Sequence, residues 1–420
     1  MKKNRLIAAL GASAFLALAA CQSRTQVFRA PAPAQRLNTF NTGSAQAQVV
    51  EIQWQNQAQI VEAATAGLDL FGANPARRTA RARVDAEQVE LLKRIGLTVQ
   101  PTIEANMESS RLPSGYMTYA DLTRKLQALE QAYPRLVTLE DVGDTYLKKT
   151  GKAPNNDIWA ISITNKRALG SKPALMLVAG MHARELAPVE LVMKLAEELT
   201  AGYGKDPEIT KLMDTREVVL LPMVNVDGRI EVEKGDNWQR KNLNTSRGSG
   251  VDLNRNFDSH WNYEGLNPPS SWLRGLKNPN SQTYSGTAPA SEPETQTVQN
   301  MYRRKPNITM AMDIHAYGEM FFWPLGFQKA PIPEVPQYRN VWESTFKKLG
   351  YTGGTSLELL YPTSGTTDDY GYEKHGAFSM GLEVGHSFRP SYREVEQMWK
   401  ETRSSWLGLI HFSGVVKKAK

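Results

Sequence analysis

One cysteine in 420 residues excludes any disulfide within the chain. Long apolar runs are missing as well. The only candidate, Leu6 to Ala17 in "MKKNRLIAALGASAFLALAAC", is too short for a comfortable membrane span. There is no block of like charge. The formal charge is +7, and Lys2, Lys3 and Arg5 lie in a segment expected to be removed, which leaves +4 scattered along the chain. Nucleic acid is therefore not an expected partner. No internal repeat is found, which excludes a solenoid or propeller. Histidine is scarce, at six residues, so each one can be weighed individually.

What is present begins with the leader. Residues 1–20 have a positive start, an apolar middle and small residues before Cys21, the pattern of an export signal. "LAAC" resembles a bacterial lipobox, in which the cysteine becomes the lipid-modified first residue of the mature chain. The other reading is an ordinary cleavable signal with Cys21 there by chance. Gln22, rather than Asp, follows, so the expectation is an exported lipoprotein of the cell envelope. Its lipid anchor on Cys21 would sit in the outer membrane, facing periplasm or surface.

Residues 21–48 are rich in Ala, Gln, Thr, Ser and Pro and read as a flexible tether. Residues 49–110 read as a small α/β unit. In "ARARVDAEQVELLKRIGLTVQP" a strand precedes a helix with Val89, Leu92 and Ile95 on one face, Gly96 ends the helix, and a strand follows. Residues 111–420 form the main domain. Thr118 is the expected N-cap of its first helix, with Leu122, Leu126, Leu129 and Tyr133 on the buried face. Strands such as "ALMLVAG" and "ITMAMDIHAYG" then alternate with helices such as "PETQTVQNMYRR". The fold class is α/β, a central sheet flanked by helices. The stretch from Trp261 to Pro293 reads as a long surface loop beside a site. A monomer is the default expectation.

"GMHARELAPVE" places His182 and Glu185 after a buried strand and before a helix, where open α/β sheets carry their sites. Alone, such a pair is weak evidence, and a turn histidine beside a helix-capping glutamate is the more common reading. His315, at the end of the strand "ITMAMDIH", supplies a third candidate ligand; a catalytic zinc needs three, with one position left for water. His260, His375, His386 and His411 fall in loops or the final helix.

"HARE", "VNVDGR", "NWQRKN", "GVDLNRNFD", "TYSGTAPASEPET", "DIHAYGEMFFWPLG", "LYPTSGTTDDYGY" and "FSMGLEVG" occur in the order found in zinc metallocarboxypeptidases of the A/B type, over about residues 115 to 415. The chain resembles that family throughout this span. The resemblance implies a mixed central sheet, one Zn2+ held by His182, Glu185 and His315, and Asp252 orienting the first histidine. It implies Glu383 as general base and then acid, and Arg240 as the group polarising the scissile carbonyl. Asn254 and Arg255, with Tyr361 closing over them, would clamp a peptide's C-terminal carboxylate. Asp368 would form the floor of the side-chain pocket and favour C-terminal Arg or Lys; a shift of one residue would put Asp369 there with the same result. The expected partners are peptide or protein C-termini. The family often carries an N-terminal prodomain, and Arg111 in "SSRLPSG" offers a basic point between the two parts. The chain departs from the family at Val226, where proline is common, and in an insertion around Leu266 to Asn280. Two other readings remain: an envelope peptidase trimming diaminopimelate- or lysine-containing peptidoglycan stems, and a silent binding protein that kept the fold.

Overall fold

Strand β7, Ala174–Ala179, is buried at every position. Its side chains alternate between two cores: Leu175, Leu177 and Ala179 enter one, and Ala174, Met176 and Val178 the other. A strand apolar on both faces belongs in the middle of a sheet covered on both sides, and β7 lies there. A computed structural model describes residues 47–104, 106–108, 111–263 and 272–416. The leader, Cys21 and the tether up to residue 46 lie outside the described residues.

Twelve strands are described. The first four are β1 (Gln48–Gln53), β2 (Asp69–Asn74), β3 (Thr79–Val84) and β4 (Thr98–Thr102). Beyond them come β5 (Val137–Asp144), β6 (Asp157–Ile163), β7, β8 (Glu217–Leu221), β9 (Ile308–His315), β10 (Met320–Phe322), β11 (Thr352–Gly354) and β12 (Phe378–Glu383). The large sheet has the order β11-β10-β12-β9-β7-β8-β6-β5. Its centre is parallel (β12, β9, β7 and β8), while β5, β6 and β10 join antiparallel. The expected mixed sheet is thus present.

One core contains Leu122, Leu126 and Leu129 of helix Tyr119–Ala132, Leu191 and Leu195 of helix Ala187–Gly202, and Trp406 of helix Tyr392–Phe412. The opposite core takes Val298 and Met301 from helix Pro293–Arg304 and Tyr370 from helix Thr367–His375. Thr118 caps its helix as expected, its side chain accepting from the Asp121 amide; Tyr133 is only half-buried. Val226 sits at the first position of helix Val226–Glu233, after the Asn225 cap. Proline is favoured there but not required, so this departure leaves the turn intact.

The four N-terminal strands make a separate antiparallel sheet, β2-β3-β1-β4, with helices Gln57–Thr65 and Ala86–Arg94. Its apolar face (Val50, Ile52, Ile60, Leu92) continues into Met320 and Leu360 of the large domain. Two expectations need correction. The stretch from Trp261 to Pro293 is not simply a surface loop: helix Trp272–Lys277 packs on helix Gln57–Thr65, and Ser281 and Ser285 are fully buried. Those serines tolerate burial because they are bonded, Ser285 Oγ to Leu276 O at 3.0 Å and Ser281 O to Lys241 Nζ at 2.6 Å. His375 ends a helix rather than lying in a loop, and it stacks on Tyr302 at 4.8 Å between ring centroids. Among the described residues no helix is long and apolar enough to cross a membrane.

Candidate metal centre and its cleft

Strand β7 runs out at Ala179, and the turn that follows holds His182 and Glu185 before the helix beginning at Ala187. His315 is the last residue of the neighbouring strand β9. The three side chains are buried and converge. His182 Nδ1 lies 2.9 Å from Glu185 Oε1, and His315 Nδ1 lies 3.0 Å from both His182 Nδ1 and Glu185 Oε2. Candidate ligand atoms from all three lie within 4.8 Å of one another. Burial alone would raise the Glu185 carboxyl, but the two imidazoles hold it well below the usual range.

The nitrogens facing away from this point are also held. His182 Nε2 meets Asp252 Oδ1 at 3.0 Å. Asp252 is fully buried, which opposes its charge, yet Arg240 and His182 keep it well below its ordinary value. Arg240 reaches its other oxygen with Nη2 at 2.9 Å. His315 Nε2 meets Asp313 Oδ2 at 2.7 Å, a partner missed in the sequence. The signal was there: two residues apart on one strand, Asp313 and His315 share a face. Two imidazoles and a carboxylate meeting at a point, each imidazole backed by a carboxylate, form the donor set and outer shell of a zinc site.

The other predicted residues surround the same cavity. Glu383 ends β12, and its Oε2 is buried without a hydrogen-bond partner. Burial, then the Glu185 charge, push its carboxyl up to about 8. Arg240, Arg255, Tyr361 and Asp368 line the cavity with it. Asn254 also lines it, but bonds inward: Nδ2 lies 3.0 Å from His315 Nε2, and Oδ1 accepts from the Thr367 amide at 2.9 Å. Gly365 fixes the approach of the Asp368 segment. Its φ is +64°, and a Cβ there would sit 2.4 Å from Arg255 O. The two adjacent aspartates separate cleanly. Asp369 accepts from the Gly326 amide at 3.0 Å, whereas Asp368 lines the cavity, its carboxyl raised chiefly by burial.

The N-terminal sheet borders this cleft. Phe71, Gly72 and Ala73 of β2 line the cavity beside the metal-site residues. Gly72 has φ +57°, and a Cβ on it would lie 2.5 Å from the Tyr317 ring. The Phe71 ring packs 5.0 Å from that of Phe388. Asp69 and Arg184 form a buried two-pronged pair, both bonds 2.7 Å. Glu104 accepts from Arg81 and from the Tyr317 hydroxyl, each at 2.6 Å. The cavity left is about 110 Å³, well below the roughly 300–1,000 Å³ of ligand pockets.

A family model described as zinc carboxypeptidase matches residues 122–405, more than half of the chain. The chain belongs to the zinc carboxypeptidase family. Among curated proteins it is 27% identical to human carboxypeptidase B over 321 residues, 71% of this chain and 71% of that one. It is 25% identical to mouse carboxypeptidase A2 over 304 residues, 70% and 68% of the two chains. In fold it matches the solved carboxypeptidase A of Helicoverpa armigera with a TM-score of 0.73 at 21% identity, covering 89% of this chain and 99% of that one. That share exceeds the roughly three quarters of the sequence in residues 111–420, so the likeness takes in the N-terminal sheet. This zinc carboxypeptidase is a metal-dependent peptide hydrolase acting on C-termini, and its His–Glu–His cluster suits the zinc its family uses.

Proposed function

We propose that this zinc carboxypeptidase removes C-terminal Arg and Lys, and that the uncut chain is held inactive by its own N-terminal sheet. The observation that carries the preference is Asp368, a buried carboxylate facing the cavity while its neighbour Asp369 is satisfied by a backbone amide. A cationic side chain would pair with Asp368, and Leu or Phe would leave it desolvated and alone.

His182, Glu185 and His315 would hold the ion, which when bound would supply an activated water and a Lewis acid for the scissile carbonyl. Glu383, with an unpartnered buried oxygen, takes the water's proton and returns it to the leaving amine. Arg240, braced by Asp252, presents its guanidinium to the oxyanion that develops. Arg255 receives the substrate's carboxylate, and Tyr361 covers it. Asn254 orders the floor by accepting from the Thr367 amide with Oδ1. A cavity of about 110 Å³ bordered by β2 is smaller than most ligand pockets, which supports the latent state. The leader and Cys21 support export and lipid anchoring at the outer membrane.

The test uses the chain from Gln22, intact and with residues up to 111 removed, on matched peptides ending in Arg, Lys, Leu, Phe and diaminopimelate. Each is assayed before and after chelation and zinc return. Zinc-dependent release of Arg and Lys by the shortened chain alone is expected. Equal rates on all five would remove the Asp368 argument; preference for diaminopimelate would move the substrate to peptidoglycan stems.

A further inference from the structure

The first residues of the large domain, 111–117, run over a pair of buried arginines. Arg389 Nη2 donates to Arg111 O and Arg229 Nη2 to Met117 O, each at 2.8 Å. Between these two points the Tyr116 hydroxyl donates to Pro390 O at 2.7 Å, and the Tyr116 ring meets that of Tyr392 edge-on, 5.6 Å between centroids. Neither arginine takes part in the cleavage chemistry. Arg111, Ser114 and Gly115 are exposed while Tyr116 and Met117 are buried, so the pair lies one segment beneath the surface.

Arg389 is fully buried and Arg229 is 2% exposed. Both keep donors idle: among the described residues, Nε and Nη1 of each have no hydrogen-bond partner. Their charges are not equally balanced. Glu233 Oε1 stands 3.5 Å from Arg229 Nε, and the Glu190 charge also acts on Arg229. These two carboxylates are bonded elsewhere as well, Glu190 to the Met117 amide at 2.9 Å and Glu233 to the Tyr119 amide at 2.7 Å. Among the described residues no carboxylate pairs with Arg389. Burial, then the like charge of Arg229, lower its guanidinium to about 10, so it stays charged at neutral pH. A buried cation bonded to one neutral carbonyl, with a second cation beside it, is a costly arrangement. One negative charge is missing, and the donors that would receive it are idle.

We propose that Arg389 and Arg229 form a buried receptor for one small monovalent anion, chloride in kind, which fastens segment 111–117 to the loop Phe388–Pro390. The choice of ion follows from burial and charge. Both guanidiniums are closed off from water, and a small singly charged ion loses less on leaving water than phosphate or sulfate, which would also bring a second charge with nothing to balance it. The loop carries Phe388, which lines the cavity at the metal centre, so the ion braces a wall of the cleft from outside the cleavage machinery.

The experiment takes the zinc-loaded chain from Gln22, dialysed free of halide, as wild type, Arg389→Met and Arg389→Lys. Thermal midpoints are recorded against chloride, with gluconate making up constant ionic strength, and again against sulfate. The wild-type midpoint should rise about 1–2 °C for each tenfold increase in chloride above half-saturation. R389M should lose this response. R389K, charged but with fewer donors, should keep a weaker one, and it carries the test if R389M does not fold. A flat wild-type midpoint would overturn the proposal. So would an equal chloride response in wild type and variants, which would place the ion elsewhere, the zinc included. A larger response to sulfate than to chloride, lost in R389M, would overturn the choice of a monovalent ion. Wild-type crystals grown in bromide give an independent reading. An anomalous peak within hydrogen-bond reach of Arg389 Nε or Nη1 is expected; water in that place, or bromide only at other points, would refute the site.

Discussion

Asp69→Asn removes one charge from a pair that joins the N-terminal sheet to the wall of the cleft. Arg184 is fully buried and Asp69 nearly so, and Nη1 and Nη2 of Arg184 each donate to one Asp69 oxygen at 2.7 Å. Leaving a buried cation without its partner costs about 3–5 kcal/mol. Asn keeps the volume and one acceptor, so the lower figure applies, roughly a hundredfold shift toward the undocked sheet. Burial raises the Asp69 carboxyl, but Arg184 overrides it and holds the group below its ordinary 3.8. A depressed carboxylate stabilises above its unfolded value and loses that contribution only as pH falls through the lower, folded one. The wild-type cover should therefore stay closed throughout the neutral range, and the D69N effect should be flat from about pH 6 to 8. The assay is release of arginine from a peptide by uncut chains, where D69N should exceed the wild type by up to about a hundredfold. Asp69 lies outside the cleavage machinery, so the separated 112–420 part serves as the full-activity reference. Equal rates for the two uncut chains, with that reference active, would refute the assignment of this pair as the main tether.

Asp368→Leu should lower kcat/KM on C-terminal Arg by about a hundredfold or more and raise it on Leu and Phe; a uniform loss on all substrates would mean a damaged site instead. Asp313→Ala, which strips the support from His315, should weaken zinc binding about 10- to 100-fold in competition with a chelator. Glu294, fully buried and bonded to the Tyr146 amide and Asn242, is raised to about 8, chiefly by burial. A raised carboxyl stays protonated in the folded chain while the unfolded chain ionises, so stability should fall as pH rises from about 4.5 toward 8, by at most about 5 kcal/mol. Urea unfolding at pH 5 and pH 8 reads this slope, and Glu294→Gln should flatten it.

The ligands were legible because they stand where apolar strands stop, and the scarcity of histidine left few competitors. Asp313 could have been found by the same logic, since alternate residues of a strand share a face. The choice between Asp368 and Asp369 was beyond sequence reasoning: it turns on which carboxylate the Gly326 amide captures, a contact between distant segments. Strands β10 and β11 are three residues each, and "TGG" carries no apolar alternation to read. The approach of the N-terminal sheet to the cleft was equally hidden. Asp69 with Arg184, and Gly72 with Tyr317, meet only after two sheets have formed, and no local pattern marks either partner. The buried serines Ser281 and Ser285 misled for a related reason. Ser, Asn and Gly look like solvent-facing loop until the carbonyls and lysine that satisfy them are in place.

Glu383 and His315 are directly paired across the parallel ladder of β12 and β9, and the Val384 amide bonds His315 O at 2.9 Å just beyond them. The separation of Glu383 and His315 is therefore written into the pairing of two backbones. A slip of one residue would turn Glu383 to the opposite face of the sheet, so this spacing can be intact or absent but not slightly wrong. Variation around the cleft mouth therefore leaves the relative placement of Glu383 and His315 unchanged. The alignment of Glu383 with the His–Glu–His cluster is thus set by the central sheet, whatever lies at the mouth of the cleft.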